Sequence, residues 1–378
     1  MLPVSVMWFR VIPPFCGVAM LLLALGGDWR AARTRLAAID RFWAAGLLAF
    51  VAVAAASLAW TPEPGKAAQV FLVALLFPVL GLAAWASRPD IRPGDLALAL
   101  AVGFPIAAVL ILVEMHNRTW LHIALGGRED ASRMNQAAVM MALWIWPAAR
   151  LVRDRWGAGA AVALFLVTAA GVFGSHSETA RLGLALAILC AGANRLGWRS
   201  LPTLIGAALA AVVLLQPILM AATRDLIPYV QGIKAGHPAE RMTIWASFAH
   251  AVGMAPWSGW GFSSSGVIGF SGSLYLFPLE YWTGIRDSHP HNMLLQVWVE
   301  MGALGAVPLA WLVWRTALLV RRMDWPTLAP FGNGTLAVIP IVALVGYGAW
   351  QAWWLTLLSV LPILFQVAGR SRAAGQAD

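Results

Sequence analysis

The sequence predicts an all-α, polytopic membrane protein with about eleven transmembrane helices, or roughly 10–12. The chain has 378 residues, of which 60% are hydrophobic and only 11% are charged, whereas a soluble domain carries roughly 25% charged residues. Its mean hydropathy is +0.74. Several apolar stretches run for about 17–22 residues, long enough to cross a ~30 Å hydrocarbon core as helices. This composition excludes soluble enzymes, secreted disulfide scaffolds, coiled coils and disordered regulators, and it predicts a single transmembrane domain over residues 1–378.

Apolar segments separated by polar connections mark the predicted spans in order along the chain. The first span is expected to be a retained helix, because no small-residue cleavage site follows it. Cys16 and Cys190 both lie within apolar stretches, which argues against a disulfide framework. The predicted spans cover residues 11–27, 42–60, 67–87, 95–115, 135–150, 158–175, 180–194, 201–221, 292–314, 328–345 and 347–368.

Basic residues are distributed unevenly between alternate connections. The chain has 26 basic and 17 acidic residues, a net charge of +9, and cytoplasmic connections collect such an excess. The connections after the first, third, fifth, seventh, ninth and last spans are therefore predicted to be cytoplasmic. Their arginines are Arg30, Arg33, Arg35, Arg41, Arg88, Arg92, Arg150, Arg153, Arg155, Arg195, Arg199, Arg315, Arg321, Arg322, Arg370 and Arg372.

A second group of basic residues falls on the opposite, outward side, where the same rule disfavours them. They are either ordinary loop charges or groups that bind an anion. Arg181 stands near the start of an apolar span, where an ionisable residue indicates function, although an ion pair with Glu178 is the structural alternative. The group comprises Lys66, Arg118, Arg128, Arg133, Arg181, Arg224, Lys234, Arg241 and Arg286.

The one long connection covers residues 222–291 and is predicted to lie on the outward side. Residues 239–250 have helical composition, and Arg241 and Trp245 share one helical face. Together with Ile244 and Phe248 they predict an amphipathic helix at the membrane interface, with its aromatic side toward lipid. Residues 256–266 read as a turn-rich segment.

Two histidines and a carboxylate, Asp287, His289 and His291, precede the ninth span. Pro290 between the imidazoles disfavours chelation from a helix, and no further ligands stand at metal spacing, so no metal site is predicted. The histidines act either as solvated or capping residues or as a general base, since imidazole accepts protons near neutral pH. Glu300, deeper in the span, orients a partner, caps a polar pocket or is purely structural.

Several segments resemble the O-antigen ligase family, which also contains O-antigen polymerases and bacterial oligosaccharyltransferases. His291-Asn292 is followed after nine residues by Gly302, as in that family's signature. Further similar segments are Arg241 with Trp245, residues 256–261, residues 177–183, and Arg128 through Asn135 and Gln136. The resemblance covers roughly residues 120–320.

The resemblance implies a glycosyltransferase-C-like enzyme of the bacterial inner membrane. Such an enzyme moves a glycan from undecaprenyl diphosphate to a lipid A-core or other glycan acceptor on the periplasmic face, among membrane lipids and without nucleic acid. Arg181 and Arg241 are expected to hold the diphosphate by forked hydrogen bonds, and His291 to serve the acceptor hydroxyl in an inverting attack. No cofactor or metal is expected. The expected substrate-binding residues are Arg128, Arg133, Trp245, His289, Asn292 and Glu300.

Two alternatives stay open at the level of sequence. A polymerase would use the same donor with a second lipid-linked glycan as acceptor, and product analysis would separate it from a ligase. A lipid or glycan transporter or flippase would place charges near the bilayer midplane and often show internal repeats. The deep spans are mostly uncharged apart from Glu300, which favours the enzyme.

Overall fold

The computed structural model describes residues 1–87, 90–117, 119–125, 131–233, 237–270, 272–323 and 327–374, and every regular element within these ranges is a helix. The all-α prediction is therefore confirmed. The main helices are α1 Ile12–Leu25, α2 Trp29–Ala37, α3 Arg41–Ala56, α4 Pro64–Ser87, α5 Pro93–His116, α6 Asn135–Gly174, α7 Glu178–Arg195, α8 Leu201–Ala222, α9 Pro238–Met254, α10 Met293–Arg321, α11 Ala329–Val345 and α12 Ala352–Ala374. Shorter helices are Leu2–Met7, Trp120–Ala124, Ile227–Val230 and Trp282–Ile285, with single 3₁₀ turns beside several of them.

Within the described ranges, seven helices are long and apolar enough to cross a membrane, or eight if α1 and α2, which meet at 103°, form one bent span. A multi-pass membrane protein is confirmed, whereas the count of about eleven is not. Each of the eleven predicted segments is largely helical, but α6 joins two of them across a non-helical Gly157. The helix α7 carries three charged residues in 18, and α11 has only 17 residues.

The first half of α6 passes through the centre of the bundle. Residues 137–152 are buried without interruption, whereas a helix at the edge of a bundle buries only one stripe. Trp146 lies edge-on to Phe165 with ring centroids 5.2 Å apart. Arg150, the one charged residue in this buried run, forms an ion pair with Asp154 one turn later. The main apolar core therefore forms around α6.

Connections predicted to share a side meet at the same end of the bundle. At one end, here called the site end, Thr61 donates to the carbonyl of Phe262 at 2.9 Å. At the opposite end, Arg35 donates to the carbonyl of Ala86 at 2.6 Å. The carboxylate of Asp40 there caps α3 and pairs with Arg315 of α10 and with Arg322, the residue that follows α10. Other contacts at that end join Gln366 to Trp85 and Arg321 to Thr203.

Two local predictions need correction. The predicted helix over 239–250 exists as α9, but Ile244 and Phe248 are buried in a protein cluster with Ile268, Leu295 and Val299 and do not face lipid. The last predicted span begins at Ala352 and not at residue 347. Residues 346–351, here called the α11–α12 connection, instead contact the site.

Candidate active site

A loop inserted into α10 forms the floor of the site. The helix is interrupted at Gly302, whose φ of +58° favours glycine. Trp260 and Gly261 donate from their backbone N–H groups to the carbonyls of Val299 and Glu300 at 2.8 and 2.9 Å. Ala303 and Leu304 donate to the carbonyls of Pro256 and Trp257 at 2.8 and 3.1 Å. Residues 256–261 thus replace two hydrogen bonds that an unbroken helix would make internally.

Glycines permit this insertion because the two backbones almost touch. A Cβ at residue 302 would lie 2.4 Å from the carbonyl carbon and oxygen of Trp257, and a Cβ at Gly259 would lie 2.4 Å from the carbonyl carbon of Glu300. Both distances are impossible for a side chain. The spacing from His291-Asn292 to Gly302 therefore sets the depth at which the loop enters α10, about three turns below His291.

The carboxylate of Glu300 is fully buried beneath this loop and accepts four hydrogen bonds. Oε1 accepts from the Ser265 hydroxyl at 2.6 Å and the Gln296 amide at 2.9 Å. Oε2 accepts from the backbone N–H of Ser263 at 2.6 Å and from Nε1 of Trp350 at 2.6 Å. A buried carboxylate with all its partners inside the protein fixes those partners in position. Glu300 therefore connects α10, the loop and the α11–α12 connection.

A polar pocket of about 300 Å³ lies above this network. Gln296 and Trp350 form part of its wall, and the side-chain oxygen Oε1 of Gln296 accepts from the backbone N–H of Ala349 at 2.8 Å. Hydroxyl and amide groups beside an indole ring are suited to a sugar ring, which offers many hydroxyls and an apolar face. The pocket is lined by Lys66, Val70, Ser263, Ser265, Gly266, Val267, Ser288, His289, Gln296, Gly348, Trp350 and Gln351.

Asp287, His289 and His291 form a compact turn of which His289 lines this pocket. Nε2 of His291 lies 3.4 Å from Oδ1 of Asp287, and the two imidazole rings meet edge to face with centroids 4.3 Å apart. His291 adopts a φ of +49°, in the left-handed region, which costs energy for a residue other than glycine and is often found at functional sites. Its side chain is 36% exposed, so it can contact a substrate.

His289 is held in its neutral form. Its Nδ1 accepts from the backbone N–H of His291 at 3.1 Å, which places the remaining proton on Nε2. Burial and the neighbouring His291 lower the pKa of His289 to about 4, although Asp287 opposes the shift. Its ring also packs against Gly348, where a Cβ would lie 2.9 Å from Cδ2.

The same three side chains each offer a ligand atom, and these atoms lie within 4.8 Å of one another. The sequence argues against a metal because Pro290 separates the imidazoles and further ligands are lacking, whereas the fold brings the Asp287 carboxylate and both imidazoles within reach of one ion. Three such ligands are compatible with an open zinc site. The prediction that no metal is needed stays a prediction.

A second cavity at the site end, here called the arginine groove, has a volume of about 260 Å³ and lies between α7, α9 and the end of α11. Arg241 is half-buried in its wall and donates from Nη1 to the carbonyl of Val345. Trp245, one turn later on α9, faces the same groove, and its buried indole nitrogen has no hydrogen-bond partner. The other lining residues are Glu178, Thr179, Leu182, Pro238, Met242 and Val345.

Arg181 occupies the first turn of α7, next to the residues that line the arginine groove. Its guanidinium group donates to the carbonyl of Ser175 instead of forming the predicted structural alternative, an ion pair with the exposed Glu178. Its Nε is buried without a partner. Burial raises the pKa of the Tyr347 hydroxyl, although the nearby Ser177, the N-cap of α7, and the charge of Arg241 oppose the shift.

The α11–α12 connection joins the two cavities. Val345, the last residue of α11, lies in the arginine groove, and Gly348 of the connection lies in the polar pocket against His289. Three residues span at most about 11 Å. Arg241 contacts Val345, and His289 packs against Gly348, three residues later. An anion in the groove and a sugar in the pocket would therefore lie side by side.

Three predicted residues have other surroundings. Arg133 lies 3.1 Å from Nε2 of His122 and lines a separate cavity with residues 7–10. Asn292 is buried and caps α10, its side-chain oxygen accepting from the backbone N–H groups of Leu294 and Leu295 at 3.1 and 3.0 Å. Arg128 lies outside the described residues.

Sequence reasoning missed the walls of the polar pocket. Ser263, Ser265 and Gln296 are ordinary polar residues in sequence, and Trp350 and Gln351 were assigned to a membrane span. The only sequence signal was a glutamine inside a tryptophan-rich run, residues 350–354. Asp287, which pairs with His291, was recognised only as a weak metal ligand.

The fold and site together define a multi-pass membrane protein in which a long connection builds a polar and cationic site at one end of an apolar bundle. Residues 163–310 match a family model described as O-antigen ligase, which confirms the resemblance of the sequence to that family. The matched segment covers less than half of the chain and contains Arg181, Arg241, His291 and Glu300.

Curated relatives carry related names. A protein of Rickettsia felis provisionally named a polysaccharide ligase is 27% identical over 119 residues, which are 31% of this chain and 29% of that protein. A similarly named protein of Rickettsia conorii is 26% identical over 119 residues, with the same shares. One of Rickettsia prowazekii is 27% identical over 126 residues, again 31% of this chain and 29% of that protein. The chain thus matches less than a third of the length of these relatives.

Proposed function

We propose that this protein is a glycosyltransferase that moves a glycan, of the O-antigen kind, from undecaprenyl diphosphate to a hydroxyl group of a lipid A-core acceptor. The observation that carries the proposal is the position of the arginine groove beside the polar pocket, with the partly exposed side chain of His291 next to His289, which lines the pocket. A diphosphate and a sugar hydroxyl are the two groups that such an arrangement would bring together. The family match and the names of the relatives support glycan transfer.

The donor diphosphate binds beside Arg241 and Arg181 in this proposal. Guanidinium groups match phosphate oxygens in pairs and keep their charge at the membrane surface. The carbonyl oxygens that now accept from Arg241 and Arg181, those of Val345 and Ser175, hold the side chains ready for an anion. The exposed apolar residue Leu182 lines the same groove, so the polyprenyl chain would leave it toward lipid.

His291 serves the acceptor hydroxyl. With Nε2 facing Asp287, Nδ1 is the nitrogen left to accept a proton, and the carboxylate stabilises the imidazolium that forms. The acceptor oxygen forms a bond to the anomeric carbon while the bond from that carbon to the diphosphate oxygen breaks. The electron pair of the broken bond stays with the diphosphate. Attack from the side opposite the leaving group inverts the anomeric centre. Fixed positive charge on the arginines favours departure of the diphosphate, and no metal takes part.

The site end faces the periplasm in the bacterial inner membrane under this proposal, because the opposite end gathers Arg35, Arg315 and Arg321. Single cysteines at the exposed positions Gln231 and Arg153, in a chain lacking Cys16 and Cys190, test this orientation. An impermeant reagent applied to spheroplasts should label residue 231 and not residue 153. Labelling of both from the same side would contradict the proposal.

Reconstitution tests the reaction itself. The purified chain in proteoliposomes receives a glycan on undecaprenyl diphosphate and a lipid A-core acceptor, and the products are analysed by mass spectrometry. The expected product is lipid A-core that carries the glycan, with undecaprenyl diphosphate released. A longer glycan on undecaprenyl diphosphate would instead identify a polymerase, and no transfer from this donor would reject the proposal.

A further inference from the structure

A third cavity lies at the opposite end of the bundle, far along α10 from the candidate active site. It has a volume of about 210 Å³ and lies between the ends of α7 and α10 and the starts of α8 and α11. A water molecule in the liquid occupies roughly 30 Å³, so the cavity can hold a group much larger than a single water. Neither the site nor the proposed reaction uses it.

Two buried asparagines face this cavity without hydrogen-bond partners. Asn194 on α7 and Asn333 on α11 are both 0% exposed, and both amide atoms of each side chain are unpartnered. A buried amide without a partner is costly, particularly between apolar helices. Such groups are expected to be satisfied by something that occupies the cavity and offers both oxygen and hydroxyl groups.

The rim of the cavity is cationic. Arg199 and Arg321 line it, and Arg321 reaches Thr203 at 3.4 Å, a long contact that leaves most of its guanidinium donors available. Two guanidinium groups above amide donors form an arrangement suited to a phosphate group. The positive-inside rule explains the presence of arginines at this end, but it does not explain the two buried amides beneath them.

The surface beside the cavity is apolar. Leu196 and Trp198 on the connection from α7 to α8 are 82% and 59% exposed, and Leu204 in the first turn of α8 is 57% exposed. Tryptophan beside arginine is typical of the boundary between lipid headgroups and acyl chains. A ligand that enters here therefore carries its phosphate next to hydrocarbon, which favours a phospholipid over free phosphate.

We propose that this cavity binds the headgroup of an anionic phospholipid of the cytoplasmic leaflet. The phosphodiester lies against Arg199 and Arg321, and the glycerol hydroxyls of a phosphatidylglycerol headgroup reach the amides of Asn194 and Asn333. Basic pockets between helix ends on the cytoplasmic side are suited to such lipids. The inference does not depend on the proposed transfer reaction.

Native mass spectrometry tests the proposal. The full chain is incubated with phosphatidylglycerol or phosphatidylcholine and released from detergent, and the fraction of protein that retains the lipid is measured. Arg321→Gln removes one guanidinium group at an exposed position, so the fold should persist. We expect it to lower retention of phosphatidylglycerol by about tenfold, the loss of one charge-assisted contact. Arg322→Gln is the matched control, because Arg322 is the next residue, is 65% exposed, and pairs with Asp40 at 3.5 Å outside the cavity.

A second pair of variants tests the amides. Asn333→Leu should lower retention as well, whereas Gln216→Leu should not, although Gln216 is also 0% exposed with both amide atoms unpartnered. Inorganic phosphate in excess should fail to displace the lipid. Equal retention in Arg321→Gln and Arg322→Gln, equal retention of phosphatidylcholine, or full displacement by inorganic phosphate would each overturn the proposal.

Discussion

Asp287 and His291 stand four residues apart in one turn, and the carboxylate of the first lies 3.4 Å from Nε2 of the second. The carboxylate fixes the ring and leaves Nδ1 as the free nitrogen, as an orienting acid does for a catalytic histidine. His289 differs, because its Nδ1 is already bound to a backbone N–H group. The two histidines should therefore respond differently to substitution.

His291→Ala should lower the transfer rate by about 10²–10⁴-fold, the usual effect of removing a general base. His289→Ala should lose much less, since the ring of His289 packs beside His291 and has no free acceptor nitrogen. Rates are measured in the reconstituted reaction, with His250→Ala as a control for a histidine on α9, stacked on Tyr281 at 4.3 Å. Donor binding should survive in His291→Ala. Near wild-type transfer in His291→Ala, or a loss of donor binding as severe as in Arg181→Ala, would contradict the assigned role.

Arg241→Lys should lose most of the transfer activity while the protein still folds and inserts. An ammonium group keeps the charge but cannot bind two phosphate oxygens and the Val345 carbonyl at once. The matched control is Arg224→Lys, in the same long connection but paired with Glu280 at 3.0 Å. If Arg241→Lys and Arg224→Lys show equal transfer rates, Arg241 is an ordinary loop charge and not a diphosphate ligand.

Acid should destabilise the protein partly through His289. Its pKa in the folded state, about 4, lies below the reference value of 6.5, so the unfolded chain binds more protons between these values. Stability is therefore fully present above about pH 6.5 and falls as the pH approaches 4, by roughly 3 kcal/mol at most. Thermal unfolding in detergent between pH 7.5 and 4.5 should show a smaller decrease for His289→Gln than for the wild type. Parallel decreases in the two proteins would show that His289 is not held neutral.

Transfer should survive a chelator, because the proposed chemistry needs no metal. Added zinc should inhibit it, since Asp287, His289 and His291 place ligand atoms within 4.8 Å of one another and a bound ion would occupy the proposed base. His289→Gln removes one ligand and should weaken the inhibition. Activity that disappears with EDTA and returns with a divalent cation would reverse this prediction.

Glu300→Ala should destabilise the fold by at least about 3 kcal/mol, because it leaves the buried donors of Ser263, Ser265, Gln296 and Trp350 without an acceptor. Glu280→Ala is the control: its carboxylate is 55% exposed, and loss of such a pair costs less than about 1 kcal/mol. Both variants are compared by thermal unfolding in the same detergent. Equal melting temperatures would mean that the network is dispensable.

The sequence predicted the helical class, the positions of the helices and the residues around His291, because hydropathy and motif spacing are local signals. It could not predict that residues 347–351 lie outside the last helix, since Ala349 and Trp350 are as apolar as the residues that follow. Only tertiary contacts place Trp350 on Glu300 and Gln351 near His289. The lipid-facing prediction for α9 was wrong because periodicity identifies an apolar face and not what covers it.

The number of membrane spans depends on charged residues within helices and on breaks in helices, and hydrophobic periodicity does not resolve either. Gly157 adopts a non-helical conformation with a φ of +86° and forms a kink within α6, so the two predicted spans are the helical parts on either side of it. Gly302 interrupts α10 in the same way, but there a loop fills the gap. The signature that contains Gly302 located this residue correctly and gave no indication of its structural purpose.

The loop that fills the gap in α10 has a consequence for biogenesis. With the helix broken at Gly302, the carbonyls of Val299 and Glu300 and the N–H groups of Ala303 and Leu304 are paired with residues 256–261, and each would cost several kcal/mol if it were left unpaired in hydrocarbon. These residues precede α10 in the chain and leave the ribosome first. The loop is therefore made before the groups that it binds, so the gap at Gly302 can be filled only after α10 has been synthesised.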